Sequence, residues 1–297
     1  MTSGVRHMIL GSFWFSVMSL LVKFAGRDMA PMQVVLFRGV MTLGLSAALV
    51  ARAGHSPGGT RHTRHLLLVR GVVGTIALSC FYASVIRLPL AEASVVQYTN
   101  PVFTAVLAAL LLGERAGWRE IVAVVAGLAG VVLIARPAAL FGGLTRLPVA
   151  HLAVALVGAM CSAGAYVAIR AIGRREHPQV VVLWLPLLTV PMTLPFALRT
   201  WHWPTAPQWL VLAGVGVTTQ LGQLSLTKGL QRERAGRATA VGYLQIVFAA
   251  LWGVLAFGER PDAWTLTGGA IILGGTLLVA LRRKPAVAAA TPAPADA

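Results

Sequence analysis

Ten apolar stretches, each long enough to cross a lipid bilayer, occupy almost the whole of this chain. A hydrocarbon core roughly 30 Å thick needs about 20 mostly apolar residues per helix. That window finds candidates near 7–25, 31–51, 66–86, 90–112, 118–135, 150–172, 178–198, 207–229, 237–257 and 263–281. Connections are short and often marked by Gly or Pro, as at Gly113, Pro137, Pro178 and Pro261. Backbone in lipid must satisfy its own hydrogen bonds, which points to helices. The expected fold is therefore all-α: a polytopic membrane protein with ten transmembrane helices. The segment 285–297 is rich in Ala and Pro and is expected to be a disordered cytoplasmic tail.

Composition removes the soluble alternative. Hydrophobic residues make up 57% of the 297, and charged ones only 11%, against about 25% in a soluble domain. The lipid bilayer is the expected surrounding. The net charge of +16 would suggest nucleic acid in a soluble chain. Here the basic residues sit in short clusters between apolar runs, so no nucleic-acid partner is expected. With the N-terminus inside, fifteen Lys or Arg fall in inner loops and six in outer ones, while Lys23, Arg38, Arg70 and Lys228 lie within spans. That imbalance predicts both termini in the cytoplasm of an inner-membrane protein. No small-residue cleavage site follows the first apolar run, which reads as a permanent helix. Cys80 and Cys161 fall inside spans without metal-ligand or disulfide spacing. No cofactor is expected.

The second half repeats the first. Residues 91–134 align without gaps to 236–279, pairing Ala93 with Ala238, Val96 with Val241, Tyr98 with Tyr243, Phe103 with Phe248 and Leu110 with Leu255. The triplet Gly113-Glu114-Arg115 pairs with Gly258-Glu259-Arg260, and Pro31 with Pro178. Shared Leu and Val mean little between apolar helices, but Gly-Glu-Arg, Tyr and Pro in the same order point to duplication. The predicted units are 1–136 and 148–284. Five spans per unit is odd, so the second copy should enter the membrane the other way up. Inverted repeats of this kind are a hallmark of secondary transporters.

The motifs Ala91-Glu92-Ala93-Ser94, Asn100-Pro101-Val102 and Leu112-Gly113-Glu114-Arg115, then the Gly-rich span from Ala126 to Leu133, resemble the drug/metabolite transporter superfamily. The likeness is to its EamA-type permeases and covers essentially the whole chain. It implies ten helices in two inverted five-helix repeats, acting as a permease for small organic metabolites. One departure is Ile246, where family members often carry a proline matching Pro101. The fourth helix is then expected to kink where the ninth does not.

Polar groups inside spans are expensive, so each is a candidate for substrate binding. Arg38 lies about 10 Å into the second span at 1.5 Å per residue. It can bind an anionic group with both arms of its guanidinium, or pair with a carbonyl or snorkel outward. Gln97, Tyr98 and Asn100 cluster before Pro101, with Tyr243 and Gln245 at matching places on the ninth span. They either line a cavity or hydrogen-bond between helices. Ser79 and Tyr82 on the third span, and Gln220 and Gln223 on the equivalent eighth, face the same choice. Trp14, Trp184 and Trp252 are candidates for stacking on a ligand, against packing or lipid contact. Glu114 and Glu259 read as capping or pairing groups, and Glu92 as an interfacial acid or a proton-coupling one. Gly127, Gly130, Gly268, Gly269, Gly274 and Gly275 read as close-packing sites.

The leading expectation is a secondary permease for a small organic metabolite or amphipathic compound, working by alternating access. A membrane enzyme acting on a lipid-like substrate is the alternative. It needs clustered acids or histidines, and only His55, His62 and His65 lie close in sequence. A homodimer is compatible with such a chain.

Overall fold

The computed structural model describes residues 2–26, 29–87, 97, 99–113, 117–135, 149–233, 235–257 and 263–280. Among them there is no strand. Tyr98, Glu92, Glu114, Glu259 and the segment from Pro285 lie outside the described residues.

The first half contains α1 (Ser3–Ala25), α2 (Pro31–Arg52), α3 (Arg64–Arg87), α4 (Asn100–Leu112) and α5 (Trp118–Ala135). The second contains α6 (Val149–Ile172), α7 (Pro178–Ala197), α8 (Ala206–Arg232), α9 (Ala235–Gly242), α10 (Leu244–Phe257) and α11 (Ala263–Ala280). Six of these helices are long and apolar enough to cross a membrane: α1, α2, α3, α6, α7 and α8. Shorter apolar helices lie within α5 and α11. The ends follow local chemistry. Pro31 and Pro178 stand in the first turns of α2 and α7, where a missing N–H is harmless. Gly113 closes α4 in the left-handed region at φ 65°. The outward faces of α4, α5, α10 and α11 are apolar, with Leu110 75% exposed and Leu255 67%. A water-facing surface could not carry that many large apolar side chains.

The helix packing exchanges between halves. α1 packs on α8, and its repeat counterpart α6 packs on α3. α3 packs on α7 as α8 does on α2, and α1 on α10 as α6 does on α4. The counterparts α2 and α7 pack on each other, as do α5 and α11. Both of these pairs run antiparallel. Gln33, near the start of α2, donates to the carbonyl of His202 beyond the end of α7. Trp184, early in α7, donates to the carbonyl of Pro57 beyond the end of α2 at 3.1 Å. In the other pair, a Cβ on Gly130 would lie 2.6 Å from the Gly268 carbonyl, and one on Gly275 3.1 Å from Ala126. Gly127, Gly130 and Gly275 are thus close-approach positions, whereas Gly269 and Gly274 face open space.

The fourth span is interrupted just ahead of Pro101, by a turn at Thr99 between helical Gln97 and the start of α4, and Pro101 sits in the first turn of α4. One expectation needs correcting: the ninth span does not run on either. α9 ends at Gly242, Tyr243 forms a turn, and α10 starts at Leu244. No proline is needed there. A helical Gly costs about 1 kcal/mol relative to Ala, and the Tyr243 ring fills the space left by Gly127, where a Cβ would lie 2.4 Å from it.

Candidate functional site: a polar cleft between the halves

A cleft of about 200 Å³ lies among α1, α2, α3 and the start of α4 on one side, and α6, α7, α8 and the α9–α10 junction on the other. Seven of the residues singled out from sequence line it: Arg38, Tyr82, Gln97, Asn100, Gln223, Tyr243 and Gln245. The broken fourth and ninth spans explain part of this. Each break leaves a turn at depth, and the turn presents Asn100 and Tyr243 with their neighbours to the interior.

The cationic wall is made by two guanidiniums. Arg38 is 5% exposed and Arg70 2%. Arg70 reaches along α3 over Gly74, where a Cβ would lie 2.5 Å from its Nη1. Its Nη2 donates to Gln223 Oε1 at 3.0 Å, and its Nε is buried without a partner. The Arg38 guanidinium forms no hydrogen bond or ion pair with the described residues, and no described residue lining the cleft is acidic. On the opposite wall Gln97 Nε2 donates to Ser162 Oγ at 3.1 Å. Thr104 Oγ1 donates to the Asn100 backbone carbonyl at 2.8 Å, and Asn100 lines the cleft. Apolar surface comes from Met8, Phe15, Met18, Phe81 and Leu226.

The remaining described candidates lie elsewhere. Trp14 packs edge-on against Phe13, with ring centres 5.3 Å apart. Ser79 is half-buried and does not line the cleft. Gln220 accepts from Ser46 Oγ at 2.9 Å and borders a smaller space of about 10 Å³ shared with Arg38 and Gln223. Trp184 is tied to Pro57, and Trp252 donates to Ser16 Oγ at 2.9 Å. Arg70, Ser162 and Tyr166 were not among the site candidates, yet all line the cleft. Two signals could have found them. Arg70 is an ionisable group within a span, and Ser162 and Tyr166 are four apart, hence on one helix face.

Both ends of the α2–α7 seam are fastened. At the end carrying Thr2, the Glu176 carboxylate accepts from the Thr60 N–H at 2.6 Å and Thr60 Oγ1 at 2.7 Å, and also from Thr63. Gln231 donates to the Glu176 carbonyl at 3.1 Å. Thr2 donates to Glu233, and Arg232 to Ser3 Oγ at 2.7 Å. Burial pulls the Glu176 carboxyl up, but hydrogen bonds from Thr63 and Thr60 outweigh it and hold the group below its ordinary range. The His55 and His177 rings stand 4.2 Å apart; burial, then His55 and Lys228, lowers His177. At the other end Phe37 packs against Trp201 and Trp209 at 5.4 and 4.9 Å.

The profile of the EamA-like transporter family matches residues 2–136 and again 150–281. The chain belongs to this family. The two matches fall on the two halves of the internal repeat. A pseudopaline exporter, CntI, from Pseudomonas aeruginosa is 33% identical over 287 residues, covering 95% of this chain and 97% of that protein. Human solute carrier family 35 member G1 is 28% identical over 292 residues, covering 94% of this chain and 79% of its own. A solved crystal structure, 21% identical, superposes with a TM-score of 0.82 over 94% of this chain and 96% of that one, and so shares the fold. This EamA-like protein is an integral membrane protein and a membrane transporter.

Proposed function

We propose that this EamA-like protein is a secondary transporter that carries a small organic solute through the cleft by alternating access. The observation that carries the reading is the cleft itself: one polar space, walled by both repeats, at the two broken helices. Two similar halves of opposite orientation can exchange conformations, so that a central site opens to each side in turn. The antiparallel run of the counterpart pairs α2–α7 and α5–α11 supports inversion. The full arrangement is then ten spans in two inverted five-helix repeats. The excess of basic residues in the inner loops supports both termini lying in the cytoplasm of an inner membrane, with the Glu176 fastening then on the cytoplasmic side. The name of the Pseudomonas relative favours outward transport.

Purified protein in proteoliposomes tests this. A broad panel of amines, acids and neutral metabolites is loaded, and efflux is compared with protein-free liposomes. At least one solute should leave faster through the protein. If none does, the permease reading loses its support.

A further inference from the structure

The cleft holds two buried cations and no acidic lining residue among those described. Burying a guanidinium is expensive unless something compensates it. Arg70 has partial compensation, from Gln223. Its Nε is still unpartnered, and the Arg38 guanidinium makes no hydrogen bond to a described residue, the only described side-chain bond to Arg38 going to its backbone carbonyl. Both side chains are more than nine-tenths buried and both face the same space. The protein also makes room for them. Gly74 leaves the bed on which the Arg70 guanidinium lies, since a Cβ there would meet Nη1. Gln223, on a helix of the other half, fixes its angle.

We propose that the transported solute is an organic anion whose acidic head is held between Arg38 and Arg70. A guanidinium offers paired N–H donors that match the two oxygens of a carboxylate or phosphate. An anion here supplies a countercharge that none of the described lining residues provides. A neutral solute supplies none. The body of the solute rests against Phe15, Phe81, Tyr82 and Leu226, while Gln97, Asn100 and Gln245 are left to polar substituents. The solute class is thus an amphipathic acid of about the cleft's size. Arg38 and Arg70 lie on α2 and α3 of the first half, and Gln223 on α8 of the second. The head therefore lies where both halves meet, as a solute that drives their exchange must.

This inference rests on the transporter reading, and the test separates the two. N-acetylphenylalanine and phenyl phosphate serve as anionic probes, with N-acetylphenylalaninamide as the uncharged control. Efflux from preloaded proteoliposomes and protection against thermal unfolding are both measured. The expected result is that at least one anion moves and protects about tenfold more effectively than the amide. Arg38→Gln and Arg70→Gln each abolish that preference. Arg38→Lys and Arg70→Lys, which keep the charge but lose the fork, retain part of it, and gel filtration of every variant checks folding. If the amide matches the anions, or the Gln variants keep the preference, the anion assignment is overturned. If amines or neutral metabolites of the broad panel move while neither anion does, the assignment also falls but the permease stands. If nothing in the broad panel moves, the permease reading itself falls.

Discussion

Asn100 and Glu114 offer a direct comparison of cleft and surface. Asn100 is 8% exposed and lines the cleft, while Glu114 follows the Gly113 cap of α4 in sequence. Asn100→Ala should therefore impair transport more than Glu114→Gln at equal expression. Transport by the two variants in proteoliposomes checks this, and the reverse ranking would move the working site to the membrane surface. The Tyr243 ring is the second residue-scale lever. Gly127→Leu puts a side chain where the ring now lies, and overpacking of this kind costs typically 1–3 kcal/mol. The expected outcome is a lower unfolding temperature in detergent together with slower transport. A Gly269→Leu variant, facing open space, should change neither. Seven of the residues singled out from sequence meet in the cleft because intramembrane polarity is costly and is spent at a site or a helix contact. Sequence does not say which. Gln220 Oε1 accepts from Ser46, and Trp252 donates to Ser16, pairings that no sequence pattern announces. Arg70 was visible as a charge in a span, but its partner Gln223 lies 153 positions away.

At the scale of elements, the six long helices were legible from apolar length alone, and Pro31 and Pro178 mark the starts of two of them. The break in the ninth span was not. Pro101 drew attention to the fourth span, but Gly242 needs no proline to end a helix. The fastening at Glu176 was equally hidden, because it joins the α2–α3 and α6–α7 connections through short polar side chains with no sequence signature. Its pH dependence has a definite sign. A carboxyl held below its ordinary value of 4.5 stabilises the fold above that value, and the contribution is lost as pH falls through the lower folded value. Thermal unfolding of the protein should therefore lose an increment on acidification below the ordinary carboxylate range. Glu176→Gln, which cannot ionise, should lose less over the same interval. Equal losses would mean that the fastening adds nothing to stability.

The whole molecule is governed by its duplication. The pairs Gly-Glu-Arg, Tyr and Pro showed the repeat in the sequence, and the packing of α1 on α8 beside α6 on α3 follows from it. The counterpart helices that touch do so head to tail, as oppositely inserted copies require. The proposed cycle opens the cleft to each side in turn. The most direct measurement is the reach of a membrane-impermeant thiol reagent. Cys80 and Cys161 are replaced by Ala, and a single cysteine is placed at Gln245 in the cleft. Labelling is then followed separately in right-side-out and inside-out vesicles. The account predicts labelling from both faces, slowed by a transported solute. Labelling from one face only, or from neither, would contradict it.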